Sequence, residues 1–193
     1  MSLILQNEID KPRWMHYSRA SSEKSHPGGE SMPKPVLVVC SVFLCAALTM
    51  AQGKVASQWT CAKSTVAHSI DAGDQPNHSF VISQSNCTAS KGEIEGVKDK
   101  EGMATQFNEV TGAASSWHGV FVVTMANGDK VHYSFKGRGT TKDGNFESGS
   151  NAWAITNGTG KFAGAKGEGS CKGKGNADGS ATWDCAGSYV LGK

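Results

Sequence analysis

The chain has 193 residues, a one-domain length, with 19 basic and 17 acidic residues and a formal charge of +2. Five basic and four acidic residues precede Pro35, which leaves 14 and 13 after Ala51. Such a balance offers no electrostatic footprint for nucleic acid or an anionic membrane surface, and neither is expected as a partner.

Residues 1–31 are rich in Ser, Gly and charge and show no sustained period. They are expected to be a non-structural leader or a misannotated upstream segment, with Met32 the true start. Residues 32–51 follow as a secretory signal. Lys34 precedes the apolar run Pro35 to Ala51, and Thr49-Met50-Ala51 supplies the small residues of a cleavage site. The run is short of the ~20 residues that span a bilayer as a helix. Cys45 lacks the small residues that a lipoprotein signal sets before its cysteine. The expected product is secreted or periplasmic, begins at Gln52 and keeps no membrane contact after cleavage.

Residues 52–193 form one domain, with four cysteines once Cys40 and Cys45 are cut away: Cys61, Cys87, Cys171 and Cys185. An even count in an exported chain reads as two disulfides. No C-x-x-C spacing suggests a metal, and no metal or cofactor is expected. Helical periodicity is absent, and period-two alternation recurs between turn signals, which is the all-β pattern.

In chain order, Cys61 and Cys87 are related by symmetry about Asp74, inside the turn-rich Asp71–Asn77. The clearest hairpin runs from Trp117 to Thr141. A two-residue Asn127-Gly128 turn would set Tyr133 on the face of Val122. A three-residue loop Ala126-Asn127-Gly128 pairs Phe121 with Tyr133 and Val123 with Val131, keeps one face apolar and is preferred. A second hairpin turns at Asp143-Gly144. The third turns at Asn176–Gly179 and places Cys171 opposite Cys185, Trp183 opposite Gly173 and Tyr189 opposite Gly167, so that rings cover strand glycines. The rival bridge Cys61–Cys185 stays open, because the first and last strands of a closed barrel are neighbours. Short antiparallel strands of this kind build a sandwich or an up-and-down barrel, and closure removes the sheet edges.

The segment Trp153-Ala-Ile-Thr-Asn-Gly158-Thr159-Gly160-Lys161-Phe162-Ala-Gly164-Ala-Lys-Gly167 resembles the strand, G-T-G-K/R-F turn and next strand of the allene oxide cyclase and dirigent barrel group. The resemblance is strongest over Ala152 to Gly169 and weaker back to Trp117. It implies an eight-stranded antiparallel barrel with a central pocket, exported or plastid relatives, and frequent homo-oligomers. The turn itself would let Phe162 fold inward as a plug. Family cyclases carry a glutamate and an asparagine on the first strand, and Ala56 to Ala67 has neither. No catalytic residue is therefore carried over; Glu109 and Glu147 are the carboxylates that could be nominated.

No phosphate loop and no G-x-S-x-G elbow occurs. His68, His78, His118 and His132 read as solvent-facing strand residues. Asn77, Asn86 and Asn157 begin glycosylation sequons. Phe121, Tyr133, Phe135 and Trp153 form either core or pocket lining. Gly137, with Gly119 and Gly139 on the same face, favours a pocket. The expectation is a barrel that binds a small apolar ligand without transforming it. The alternatives are a cyclase- or isomerase-like enzyme, recognisable by a titratable group in an apolar pocket, and a filled interaction or structural barrel acting through outer loops such as Gly96–Gly102.

Overall fold

In the computed structural model, residues 52–192 are described, and the leader and signal readings lie outside them. Ten strands occur among the described residues: β1 Gly53–Cys61, β2 Val66–Asp71, β3 His78–Lys91, β4 Glu93–Ile94, β5 Val97–Thr111, β6 Ala114–Met125, β7 Lys130–Lys142, β8 Asn145–Gly158, β9 Lys166–Gly175 and β10 Ala181–Val190. Eight of them close a ring in the order β1-β10-β9-β8-β7-β6-β5-β3, all antiparallel. The barrel expected from period-two alternation is thus present. β2 continues the line of β1 along β3 after a break at Ala62–Thr65, and β4 is a two-residue ladder on β5.

Local chemistry fixes the registers. Gly128 takes φ +87° and donates its N–H to the Met125 carbonyl, closing the three-residue loop. Phe121 then pairs with Tyr133 and Val123 with Val131. β8 turns off β7 at Asp143-Gly144, with both residues at positive φ. Both local disulfides are formed, Cys61–Cys87 and Cys171–Cys185. β1 and β10 are neighbours, but their register sets Cys61 against Ala181, which disposes of the rival bridge. Trp183 covers Gly173 as expected. Tyr189 pairs with Gly167, yet its ring lies over Gly53, and Ile155 covers Gly167 instead.

One end of the barrel is sealed. A single 3-10 turn, Gly160–Phe162, tucks Phe162 to 0% exposure beside Val131, Met125 and Ile94, each 2% exposed or less. Lys161 Nζ donates to the Glu95 carbonyl at 2.8 Å, and the Tyr189 hydroxyl donates to Glu95 Oε1 at 2.7 Å. The segment Gly96–Gly102, expected to be a loop, is mostly the start of β5. There Asp99 pairs with Met125 while Glu101 pairs with Thr124, so Lys100 is an extra residue in a bulge.

Candidate functional site

The inward residues of the eight ring strands enclose a cavity of about 320 Å³, open at the end opposite Phe162. The filled-barrel alternative required no such space. Ala62, Lys63, Thr141, Gly144 and Gly179 form the mouth. Aromatic rings line the wall in two groups. Deeper in, Trp59 meets Phe121 edge-on with ring centroids 5.0 Å apart, Phe121 lies 6.2 Å from Tyr133, and Tyr133 meets Trp153 edge-on at 5.5 Å. Nearer the mouth, Trp117, Phe146 and Trp183 form a cluster in which Phe146 stacks on Trp183 at 5.3 Å.

Of the residues expected from sequence to line a pocket, Phe121, Tyr133, Phe135 and Trp153 border this cavity and Gly137 does not. The Trp117 indole lies over Gly137, Gly139 and Gly149, and a Cβ on any of them would run into it. Those glycines seat an indole rather than leave open space. A bulky residue at Gly137 would also collide with the Ser150 carbonyl, so it would disturb the fold as well as the cavity. Trp153 is seated the same way on Gly169 and Gly187. Trp59, Trp117, Phe146 and Trp183 were not singled out from sequence as cavity lining; the seat of Trp117 depends on glycines of two other strands.

Polar groups interrupt the aromatic wall. Gln106 Nε2 donates to Asn108 Oδ1 at 3.1 Å, and Asn108 Nδ2 donates to Ser83 Oγ at 3.3 Å. Trp59 Nε1 donates to Ser57 Oγ at 3.1 Å. Among the described residues, three buried side-chain atoms have no hydrogen-bond partner: Asp99 Oδ1, Asn151 Oδ1 and Trp153 Nε1.

Asp99 is the residue that sequence reading missed. Gly102, Ala104, Gln106 and Asn108 alternate inward along β5, a pattern that on its own would turn Asp99 outward. The extra residue in the bulge reverses the alternation and brings the carboxyl inside. Gly92, at φ +143°, leaves room for it: a Cβ there would overlap both the Asp99 carboxyl and Ser57. Burial pushes the Asp99 carboxyl up to about 6. Burial also raises the Tyr133 phenol above its ordinary range, with the Asp99 charge adding to the effect.

The Asp99 shift has a measurable consequence. A carboxyl whose pKa is higher folded than unfolded favours the unfolded chain as pH rises through the interval between the two values, here from about 4 to about 6. Asp99→Asn removes that dependence. Denaturant unfolding should find the variant about 2–3 kcal/mol more stable than wild type at pH 7 and nearly equal to it at pH 4. Equal stabilities at pH 7 would show that the carboxyl is well solvated.

The nominated carboxylates lie elsewhere. Glu147 is exposed and accepts from Thr140 Oγ1 at 2.9 Å. Glu109 sits on the outer face, 3.2 Å from His78 Nε2, and Asp74 Oδ1 lies 2.6 Å from His78 Nδ1. His78 is therefore not solvent-facing: it is 8% exposed and fastens the Asp71–Asn77 turn to β5. Its imidazole is raised above the ordinary value, first by the Asp74 hydrogen bond. The outer face of β2, β3, β5 and β6 also carries exposed Val66, Ile70, Ile82, Met103, Phe107 and Val120.

No family model matches the chain, and no curated protein matches it. Among solved structures, the pterocarpan synthase dirigent protein GePTS1 is similar at 15% identity and a TM-score of 0.45, over 74% of this chain and 89% of that one. The pterocarpan synthase dirigent protein PsPTS1 is similar at 16% identity and a TM-score of 0.43, over 74% of this chain and 97% of that one. The synthase description belongs to those proteins, and neither match bears on allene oxide cyclases.

Proposed function

We propose that this chain is an exported barrel that binds one small, largely apolar molecule in its interior. The observation that carries the reading is the cavity of about 320 Å³, walled by aromatic rings and holding a few polar groups. That combination is typical of small-molecule sites, which start near ~300 Å³. Glycines seat Trp117 and Trp153 against the sheet, so the rings are held by backbone and the site is largely pre-formed.

A neutral fluorescent probe such as N-phenyl-1-naphthylamine tests it. The probe should bind one per chain with micromolar affinity and accept energy from the interior tryptophans. Ala104 lines the cavity, and Ala104→Trp should abolish binding while circular dichroism stays unchanged. Val120→Glu, on the exposed apolar outer face, should leave binding intact. The reverse pattern would move the site to the outer face and end the proposal.

Asp99 gives specific support to a second reading, a cyclase- or isomerase-like enzyme with that carboxyl as its acid or base. A group near pH 6 inside apolar walls suits proton transfer. Turnover lost in Asp99→Asn with binding retained would favour it over simple binding.

Export belongs to the same proposal. It is supported by the charged-apolar-small pattern before Gln52 and by two disulfides in the domain that follows. Protein recovered from the periplasm or medium should begin at Gln52; retention of residues 35–51 would contradict it. Self-association, which the family resemblance implies, would use the outer apolar face.

A further inference from the structure

We propose that the interior site selects an organic cation, a small aromatic or aliphatic molecule carrying a protonated amine, and that Asp99 is its counter-charge. This rests on the reading of the cavity as a ligand site and adds the chemical class of the ligand.

The charge distribution inside the barrel points one way. Among the described residues that line the cavity, Asp99 is the one carboxylate and Lys63 the one cation. The two are at opposite ends. The Lys63 stem lies against Gly179 at the mouth, whereas Asp99 packs beside Ser57 and Gly92 and pairs with the fully buried Met125. Cys61, next to the mouth segment, and Ser57, beside Asp99, are two inward positions apart on β1, about 13 Å at strand rise. No cation among the described residues therefore answers the carboxylate from within the cavity. The other titratable side chain facing that space is the Tyr133 phenol from β7, which stays neutral. Lys98, Lys100 and Glu101, on either side of Asp99 in β5, are exposed.

A buried carboxylate oxygen without a partner costs free energy until a donor reaches it. Asp99 Oδ1 is such an atom. A neutral hydrocarbon entering the cavity would strip what solvent remains around the charge and deepen the cost. An ammonium would offset it through a charge-assisted hydrogen bond. The surroundings suit a cation further. Trp59, tied through its Nε1 to Ser57, and Tyr133, whose phenol feels the Asp99 charge, bring aromatic side chains to this end of the cavity, and aromatic rings attract ammonium groups. An organic cation is favoured over a metal ion, because among the described residues no three His, Cys, Asp or Glu side chains converge and hard ions need several oxygen ligands.

The protonation state supplies an opposite outcome. If Asp99 worked as a neutral acid donating to a ligand carbonyl, binding would strengthen below pH 6. A carboxylate holding an ammonium loses its ligand there.

The test compares 4-phenylbutylamine with n-pentylbenzene, in which a methyl group replaces the ammonium, by calorimetry on the full chain. At pH 7.5 the amine should bind at least 10-fold more tightly than the hydrocarbon. That advantage should shrink to within about twofold in Asp99→Asn, with hydrocarbon affinity unchanged or improved. In wild type, amine affinity should fall about 10-fold between pH 7.5 and pH 5, as Asp99 protonates around pH 6. Hydrocarbon binding with no amine advantage, or an advantage that survives Asp99→Asn, overturns the cation proposal and leaves the ligand cavity standing. Failure of both compounds and of the neutral naphthylamine probe overturns the cavity reading and this inference with it.

Discussion

Phe162→Ala will cost the barrel about 3–5 kcal/mol, the range for emptying a buried phenylalanine site. The ring is fully buried and closes the end of the barrel against Val131, Met125 and Ile94. The site has little freedom to collapse. Phe162 is held in a turn by its own N–H donating to Thr159 at 2.9 Å and by its carbonyl accepting from Ala165 at 3.0 Å. Gly158 packs directly beneath it. For a domain of this size the melting temperature should drop by on the order of 10–20 °C. Urea unfolding that found less than about 1 kcal/mol would mean that the sealed end is held by other contacts.

Removing the disulfides will have an effect of the same order. Cys61–Cys87 closes a separation of 26 residues and Cys171–Cys185 one of 14. In the chain-entropy picture each adds about 3–3.5 kcal/mol by restricting the unfolded chain. Losing both would remove about 6 kcal/mol, much of the ~5–15 kcal/mol that holds a domain of ordinary stability. All four cysteines also border the cavity, so the alanine variants lose packing as well as cross-links. The chain with Cys61, Cys87, Cys171 and Cys185 all replaced by alanine should be largely unfolded at 37 °C by near-ultraviolet circular dichroism. Each double variant should stay folded with a lowered urea midpoint. A quadruple variant as stable as wild type would show that neighbouring-strand pairing alone restrains the chain.

The sequence made legible what depends on local pairing and left illegible what depends on closure. The three-residue loop at Ala126–Gly128 sets the β6–β7 register through one left-handed glycine, and the symmetry of the Asn176–Gly179 turn places Cys171 against Cys185. Phe121, Tyr133, Phe135 and Trp153 share a face because period two is enough to put them there. Trp117 was different. Its seat is built from Gly137, Gly139 and Gly149 on β7 and β8, and only the diagonal packing of an indole across those strands shows that the glycines are filled. The same limit misled the reading of Gly137 as open space. Asp99 was hidden by one residue, since the bulge at Lys100 reverses the alternation that holds for the rest of β5. His78 looked exposed because its two partners, Asp74 and Glu109, come from a turn and from another strand.

A crystal structure of the chain with N-phenyl-1-naphthylamine would show whether the barrel interior is the binding site. The exterior offers a rival site of its own, the exposed apolar face around Phe107 and Val120. The probe is expected inside the barrel, among Trp59, Phe121, Tyr133 and Trp153, with its long axis toward the mouth at Lys63 and Gly179. A probe seated on the outer face, with the interior closed by repacked side chains, would contradict it.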